Sequence, residues 1–140
     1  MAVNAKEFFG QYERANAQSD IPAITALYAD VFLFGGPAGV RSLNKDDFAK
    51  AIPKRKQYFA SLGLVETRVS GVEETALDAK YVMARTSWAM VFRVASERKE
   101  LQNAATYILE RRGETLAIVM QIDHQDLAEK LKQFSNTSDR

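Results

Sequence analysis

The sequence predicts an α+β fold in which three N-terminal helices pack against a curled antiparallel sheet. Apolar residues recur at helical spacing before residue 63, whereas four β-rich segments separated by short polar turns fill residues 64–122. The chain has 140 residues, of which 46% are hydrophobic and 26% are charged, so it can bury a core of its own. We therefore expect one domain over residues 1–134, followed by a frayed tail at 135–140.

Two helices are expected before the first strand. The first begins after Asn4, because Asn4 and Glu7 have the spacing of a capping box. Its buried face is predicted to consist of Phe8, Phe9, Tyr12 and Ala15. The second begins after Asp20, which can cap it, and Pro22 is tolerated in its first turn. Its buried stripe is predicted to consist of Ile24, Leu27 and Tyr28.

A strand and a third helix follow. The segment Val31–Phe34 predicts a strand, because it is too short and too apolar for a surface helix. The Gly- and Pro-rich segment Gly35–Gly39 is expected to end that strand as a loop. The third helix is expected to begin after Ser42 or Asn44, either of which can cap it, and to end at Gly63.

The remainder of the chain predicts a sheet built from consecutive hairpins. Long β-rich segments alternate with polar tips that are typical of hairpin turns, and the predicted strands lie at residues 64–73, 80–94, 101–110 and 115–122. The concave side of this sheet should wrap around the third helix. A short C-terminal helix is expected to follow, with Leu127, Leu131 and Phe134 aligned on one face.

Composition excludes several classes of function. Lys and Arg number 19 and Asp and Glu 18, so the net charge of +1 provides no field that would gather nucleic acid or a membrane surface. There is no Cys and only one His, so we predict no disulfide, no metal site and no cofactor. The N-terminus lacks a signal peptide and no apolar run is long enough to span a membrane, so we expect a cytoplasmic protein. The basic run Lys54–Lys56 is interpreted as a solvated helix face.

The segment Tyr12–Gly39 carries a family resemblance. Tyr12 precedes Tyr28 by sixteen residues, Tyr28 opens a Tyr-Ala-Asp sequence, and the apolar strand Val31–Phe34 leads into a Gly/Pro loop. This order and spacing resemble the N-terminal third of the nuclear transport factor two-like superfamily, which includes ketosteroid isomerases and SnoaL-like polyketide cyclases. The resemblance implies a cone-shaped α+β roll with a mixed-order sheet around a pocket for a hydrophobic small molecule.

The same resemblance argues against ketosteroid isomerase activity. Ketosteroid isomerases have an Asp base immediately before the Pro of the loop that follows the first strand, and this chain has Gly36 there. Their second oxyanion donor, an Asp on the penultimate strand, falls near Ala105. Only the first donor is retained, as Tyr12, and a lone Tyr stabilises an enolate poorly.

Asp123 and His124 are the candidate acid–base residues. Their late position resembles that of the working residues in SnoaL-like cyclases, with Tyr12 as the oxyanion donor on a hydrophobic cyclic substrate. Adjacent strand residues point to opposite faces, so both can enter one pocket only if the strand has ended. The structural alternative is that Asp123 caps the C-terminal helix and His124 lies in its first turn. An epoxide-hydrolase-like site is a further alternative, but Arg85 and Asp123 would supply only part of it.

The candidate pocket residues are aromatic or lie at polar positions inside apolar strands. They are Tyr12, Tyr28, Phe32, Phe34, Phe59, Arg85, Trp88, Tyr107 and Met120. The alternative for the aromatic residues is a plain core, and for Tyr28 a packed junction between helix and strand. The alternative for Arg85 is solvent or a wet interface.

The predicted strand at 80–94 also indicates a homodimer. Neither of its faces is clearly polar: Val82, Trp88, Met90 and Phe92 lie on one face, and Tyr81, Met83, Ala89 and Val91 on the other. A second copy of the chain would cover the outer face of the sheet.

The leading hypothesis for function, from the family resemblance and its pocket, is a small-molecule-binding domain. The alternative is a non-catalytic dimeric interaction module.

Overall fold

Three helices and six strands make up the part of the chain that the computed structural model describes, residues 3–124. The helices are α1 (Ala5–Ala17), α2 (Ile21–Thr25) and α3 (Lys45–Ser61). The strands are β1 (Tyr28–Gly36), β2 (Gly39–Asn44), β3 (Leu64–Ala76), β4 (Tyr81–Val94), β5 (Glu97–Arg112) and β6 (Thr115–Asp123). The predicted C-terminal helix and the predicted tail at 135–140 lie outside the described residues.

Each helix begins at a side-chain cap that the sequence predicts. Asn4 Oδ1 accepts a hydrogen bond from the backbone N–H of Glu7 at 2.8 Å, and Asp20 Oδ1 accepts one from Ala23 at 3.1 Å. Asn44 Oδ1 does the same for the third helix at 2.8 Å. These bonds satisfy backbone donors that have no partner within the helix, so the three starting points are fixed by local chemistry.

The second helix is shorter than predicted, and its end is the largest error in the predicted elements. It stops at Thr25, and Tyr28 is the first residue of β1 rather than a helical residue. The hydroxyl of Thr25 bonds back to the carbonyls of Ile21 and Pro22 within the short helix. The backbone N–H of Ile118 on β6 then donates to the carbonyl of Leu27 at 2.9 Å, so strand pairing replaces the next helical turn.

The sheet has the order β2-β1-β6-β5-β4-β3 and is open at both ends. Strands β3 to β6 form an antiparallel meander, as predicted, and β1 pairs with β6 in parallel. Strand β2 was not predicted, because Gly39–Asn44 lacks an apolar alternation and is mostly exposed. It forms a hairpin with β1 beyond the Pro37-Ala38 turn.

The main core lies between the helices and the concave face of the sheet. Phe8 and Phe9 of α1 are almost fully buried, and Phe9 packs against Tyr107 with ring centroids 4.7 Å apart. A second, smaller core forms where the C-terminal half of α3 meets the far end of the sheet; its buried members are Phe59, Met90 and Phe92. None of the described helices is long and apolar enough to cross a membrane.

Gly63 makes the connection between α3 and β3 possible. Its φ of +98° lies in the region that favours glycine, and its carbonyl accepts a 2.8 Å hydrogen bond from the backbone N–H of Arg93. A Cβ at this position would lie 2.2 Å from the carbonyl oxygen of Arg93. Because that oxygen belongs to the backbone, it cannot move aside without shifting β4.

We expect Gly63→Ala to lower the free energy of unfolding by more than about 3 kcal/mol, from left-handed strain and the backbone clash together. Urea denaturation provides the measurement. The matched control is Gly113→Ala, since Gly113 has a φ of +64° with no atom within 4 Å of the added Cβ. Gly113→Ala should lower the free energy of unfolding by only about 1 kcal/mol, because it introduces left-handed strain without a clash. Equal losses in the two variants would contradict the role assigned to the Arg93 contact.

Candidate functional site

The helices and the concave face of the sheet surround a cavity of about 720 Å³. Seven of the nine predicted pocket residues line it: Tyr12, Tyr28, Phe32, Phe34, Phe59, Trp88 and Tyr107. Phe48 on α3 adds an eighth aromatic ring, packed against Tyr28 with centroids 4.6 Å apart. The cavity wall is therefore mainly aromatic, and it adjoins the main core.

Three predicted site residues lie outside this cavity. Arg85 is exposed on the outer face of β4. It lies three positions before the inward-facing Trp88, and an odd spacing places two strand residues on opposite faces. Met120 also faces outwards, since an extra residue, Val119, bulges out of β6 between the pairs Leu109–Ile118 and Ile108–Met120. His124 points outwards as well, and its Nε2 forms a short hydrogen bond with Thr106 Oγ1.

Asp123 and His124 therefore do not form one acid–base pair. Asp123 is the last residue of β6 and lines the cavity, whereas His124 lies on the opposite side of the sheet. The alternation expected of adjacent strand residues accounts for this separation. Arg85 and Asp123 are also on opposite faces, so they cannot surround one water in an epoxide-hydrolase-like site. The helix that Asp123 would cap lies outside the described residues.

A chain of hydrogen bonds connects two tyrosines to Asp123. The hydroxyls of Tyr12 and Tyr28 are 2.7 Å apart, and Tyr28 donates to Gln121 Oε1 at 2.7 Å. Gln121 Nε2 donates in turn to Asp123 Oδ1 at 3.2 Å. The carboxylate can only accept, so it fixes the amide of Gln121 with the oxygen towards Tyr28. The hydroxyl hydrogen of Tyr28 is therefore used in the hydrogen bond to Gln121. In the hydrogen bond between the two tyrosines, the Tyr12 hydroxyl is then the donor and the Tyr28 oxygen is the acceptor.

Burial raises the pKa of all three cavity tyrosines. The pKa of Tyr28 and that of Tyr107 are raised well above the usual value, chiefly because their hydroxyls are removed from water. The pKa of Tyr12 is also raised, chiefly by burial of its hydroxyl. These phenols are neutral near pH 7, so they can exchange hydrogen bonds with a ligand but cannot serve as bases.

Cationic side chains lie around the cavity as well as aromatic ones. The Arg41 guanidinium lies 5.7 Å from the centre of the Phe34 ring, and the Arg55 guanidinium lies 5.3 Å from that of Phe59. Lys56 Nζ donates to Ser19 Oγ and to a backbone carbonyl, and partial burial lowers its pKa. The basic run interpreted as a solvated face thus contributes Arg55 and Lys56 to the cavity lining. The lining also contains three acids, Asp47, Glu66 and Asp123.

Two amide side chains of the cavity wall were not predicted. Gln121 was missed because the bulge at Val119 reverses the faces of β6 beyond it. Asn103 on β5 was missed because an isolated polar residue in a strand gives no signal of its own. Asn103 is only 8% exposed, and its Oδ1 has no hydrogen-bond partner within residues 3–124. An unpaired buried acceptor typically costs about 1–3 kcal/mol, so this atom requires an explanation.

Residues 3–124 contain no group of three or more His, Asp or Glu side chains placed to hold a metal ion.

Comparison with solved structures shows the fold. An NTF-2-like protein of unknown function from Shewanella oneidensis MR-1 has a TM-score of 0.68 and 18% identity, covering 86% of this chain and 95% of that chain. A ketosteroid isomerase-like protein from Erwinia carotovora atroseptica SCRI1043 has a TM-score of 0.65 and 14% identity, covering 85% and 91%. The β subunit of benzoate 1,2-dioxygenase from Burkholderia mallei ATCC 23344 has a TM-score of 0.66 and 14% identity, covering 92% and 95%.

These likenesses confirm the fold that the resemblance of the segment Tyr12–Gly39 implies. The chain has the nuclear transport factor two-like fold, with helices packed on an open, mixed six-stranded sheet. No family model and no curated protein matches the sequence. At identities below 20%, the solved structures show a shared fold and leave function to be argued from the cavity.

The buried phenols predict a loss of stability in alkali. Their folded pKa values exceed the unfolded value of about 10, so the stability that they contribute is complete below about pH 10. It is lost as the pH rises towards the folded values, because the unfolded chain then releases protons that the folded chain retains. We expect the free energy of unfolding to fall above about pH 10, by up to about 1.4 kcal/mol per pH unit for each such phenol.

Urea denaturation from about pH 8 to pH 11 measures this loss of stability. Tyr28→Phe should reduce the slope of the decline by the contribution of one phenol, because it removes one of the groups that cause it. The matched control is Tyr58→Phe, which removes a phenol whose residue is 51% exposed. A decline of the same slope in wild type and Tyr28→Phe would contradict the argument.

Proposed function

We propose that this chain is a small-molecule-binding domain whose cavity holds a hydrophobic, ring-containing molecule. The observation that carries the proposal is the aromatic cavity of about 720 Å³, which the side chains of residues 3–124 leave open. A volume of this size lies within the range of ordinary ligand sites. The wall contains eight aromatic rings, and a planar ligand could pack against them. Arg41 and Arg55 add cationic groups that suit an anionic substituent on the ligand.

The polar groups of the cavity favour binding over isomerase chemistry. Gly36, at the end of β1, and Ala105, on β5, occupy the two positions where the resemblance places isomerase carboxylates, and neither can move a proton. The Tyr12 hydroxyl donates its hydrogen bond to Tyr28, so it has no O–H directed at a developing oxyanion. Asp123 faces the cavity, and acid–base chemistry by Asp123 with Tyr12 stays a prediction of the sequence.

A fluorescent probe tests the binding proposal. 1-Anilinonaphthalene-8-sulfonate combines aromatic rings with one anionic group, and we expect it to bind the wild-type chain with enhanced emission. Ala105→Phe should weaken binding about tenfold or more, because Ala105 lines the cavity and the added ring occupies it. The matched control is Ala104→Phe, since Ala104 is the neighbouring residue and faces the other side of the sheet. Equal affinities in the two variants would place the dye outside the cavity and contradict the proposal.

The outer face of the sheet supports a second candidate function, association with another copy of the chain. Val31 and Leu33 on β1 and Val40 on β2 are 61%, 43% and 64% exposed. Their strand register places all three on the outer face, where Met120 pairs with Leu33 and continues the apolar surface onto β6. We name these four residues the outer patch. Its exposed apolar character suits a self-complementary dimer contact. The cytoplasmic location stays a prediction of the sequence.

We expect Leu33→Glu to dissociate the dimer, because it places a charge in the centre of the outer patch. Sedimentation equilibrium distinguishes a 15.7 kDa monomer from a species of twice that mass. The matched control is Leu77→Glu, since Leu77 is 52% exposed and follows β3, away from the patch. A wild-type chain that is monomeric at all concentrations, or a Leu33→Glu variant that stays dimeric, would reject this role for the patch.

A further inference from the structure

Asp123 lines the cavity with a half-buried carboxylate that is only partly used. Its Oδ1 accepts a hydrogen bond from Gln121 Nε2 at 3.2 Å, and its other oxygen has no hydrogen bond within residues 3–124. Among those residues, the only enclosed side-chain oxygen without a partner belongs to Asn103, which is shut off from open space. The second oxygen of Asp123 is therefore accessible, and it can accept a hydrogen bond from a molecule in the cavity.

The other two acids of the cavity lining are engaged elsewhere. Glu66 Oε1 lies 3.8 Å from Arg68 Nε in an exposed ion pair. Asp47 Oδ2 accepts a hydrogen bond from Asn44 Nδ2 at 3.1 Å at the start of α3, and this residue is also exposed. Asp123 is therefore the lining acid that is best placed to contact a molecule inside the cavity.

Arg55 is the cationic counterpart of Asp123 in the lining. Its guanidinium carbon lies 5.3 Å from the centre of the Phe59 ring, and it forms no ion pair with any residue in the range 3–124. The neighbouring Lys56 differs, because its ammonium already donates to Ser19 Oγ and to a backbone carbonyl. The guanidinium of Arg55 thus keeps planar donors that match the two oxygens of a carboxylate.

Arg55 and Asp123 act on the same part of the cavity with opposite charge. Burial is the chief reason that the pKa of Tyr12 and that of Tyr107 are raised; the charge of Arg55 lowers both values and that of Asp123 raises them. Both charges therefore lie close enough to act on these buried hydroxyls. No ion pair joins Arg55 to Asp123, so neither charge neutralises the other by direct contact. A ligand with two different polar groups could contact both.

We propose that the cavity selects ring-containing hydroxy acids, whose carboxylate pairs with Arg55 and whose hydroxyl donates to the second oxygen of Asp123. Arg55 is exposed, so the anionic end of the ligand lies where the cavity meets solvent and water still reaches the carboxylate. Asp123 is half-buried, and it suits the neutral hydroxyl because it would repel a second anion. This inference rests on the proposed binding function and concerns the same cavity.

Three biphenyl compounds separate the two contacts. 4′-Hydroxybiphenyl-4-carboxylate has both groups, biphenyl-4-carboxylate lacks the hydroxyl, and 4-hydroxybiphenyl lacks the carboxylate. In isothermal titration calorimetry on the full chain, wild type should bind the first compound about tenfold more tightly than the second, because a hydrogen bond to a charged acceptor is lost. It should bind the first about fivefold more tightly than the third, a smaller factor because Arg55 is exposed.

Two variants should each remove one preference and keep the other. In Asp123→Asn the amide oxygen accepts from Gln121 and the amide N–H groups replace the free oxygen, so the hydroxyl preference should fall below about twofold. Arg55→Met keeps an unbranched side chain without the charge, so the carboxylate preference should fall below about twofold. A merely structural role would not produce this reciprocal pattern, because general damage to the cavity weakens all three compounds together.

Each variant has a matched control. Glu66→Gln neutralises another acid of the lining, and we expect it to keep the hydroxyl preference because Glu66 is exposed and paired with Arg68. Lys54→Met removes the exposed cation next to Arg55, and we expect it to keep the carboxylate preference because Lys54 lies outside the lining.

The outcomes separate this inference from the proposal on which it rests. A wild-type chain that binds the naphthalene dye in the cavity, but binds all three biphenyls equally, keeps the binding function and overturns the selection of hydroxy acids. That comparison needs no variant. Persistence of the hydroxyl preference in Asp123→Asn, or of the carboxylate preference in Arg55→Met, overturns it as well. A chain that binds none of the four probes overturns the binding function and this inference with it.

Discussion

The parallel pairing of β1 with β6 is the contact on which the rest of the site depends. It joins residues that are about ninety positions apart in the sequence, and the hydrogen bond from Ile118 to the carbonyl of Leu27 draws the chain out of α2 and into β1. Tyr28 thereby faces the concave side of the sheet instead of continuing a helix. Its hydroxyl then lies 2.7 Å from Gln121 Oε1, and the polar chain from Tyr12 to Asp123 can close.

That closure supports the proposal that the cavity holds a molecule rather than transforms it. Both tyrosine hydroxyls in the chain are directed at internal acceptors, and burial keeps the phenols protonated. A reactive site would instead present a donor to the developing charge of the substrate. The aromatic residues of the wall would provide the area for binding.

The sequence predicts what depends on near neighbours and fails where distant strands decide. The caps at Asn4, Asp20 and Asn44 act within three residues, so a local pattern is enough to find them. The strand start at Tyr28 depends on β6, which no local signal reveals. The sequence names seven of the aromatic residues of the cavity wall, because large rings are usually buried, but it does not decide which sheet face points inward. Arg85 was assigned to the cavity together with Trp88 although their spacing places them on opposite faces of a regular strand.

The bulge at Val119 shows how one extra residue determines the chemistry of the cavity. In a regular strand the residues that follow inward-facing Ile118 on the same face would be Met120 and Ile122, which would give an apolar wall. The bulge reverses the alternation, so Gln121 and Asp123 face inwards, and Met120 joins Leu33 on the outer face. One insertion therefore supplies both the polar end of the cavity and part of the apolar outer patch. The proposed ligand site and the proposed association surface therefore both depend on this bulge, and restoring regular alternation in β6 would alter both surfaces together.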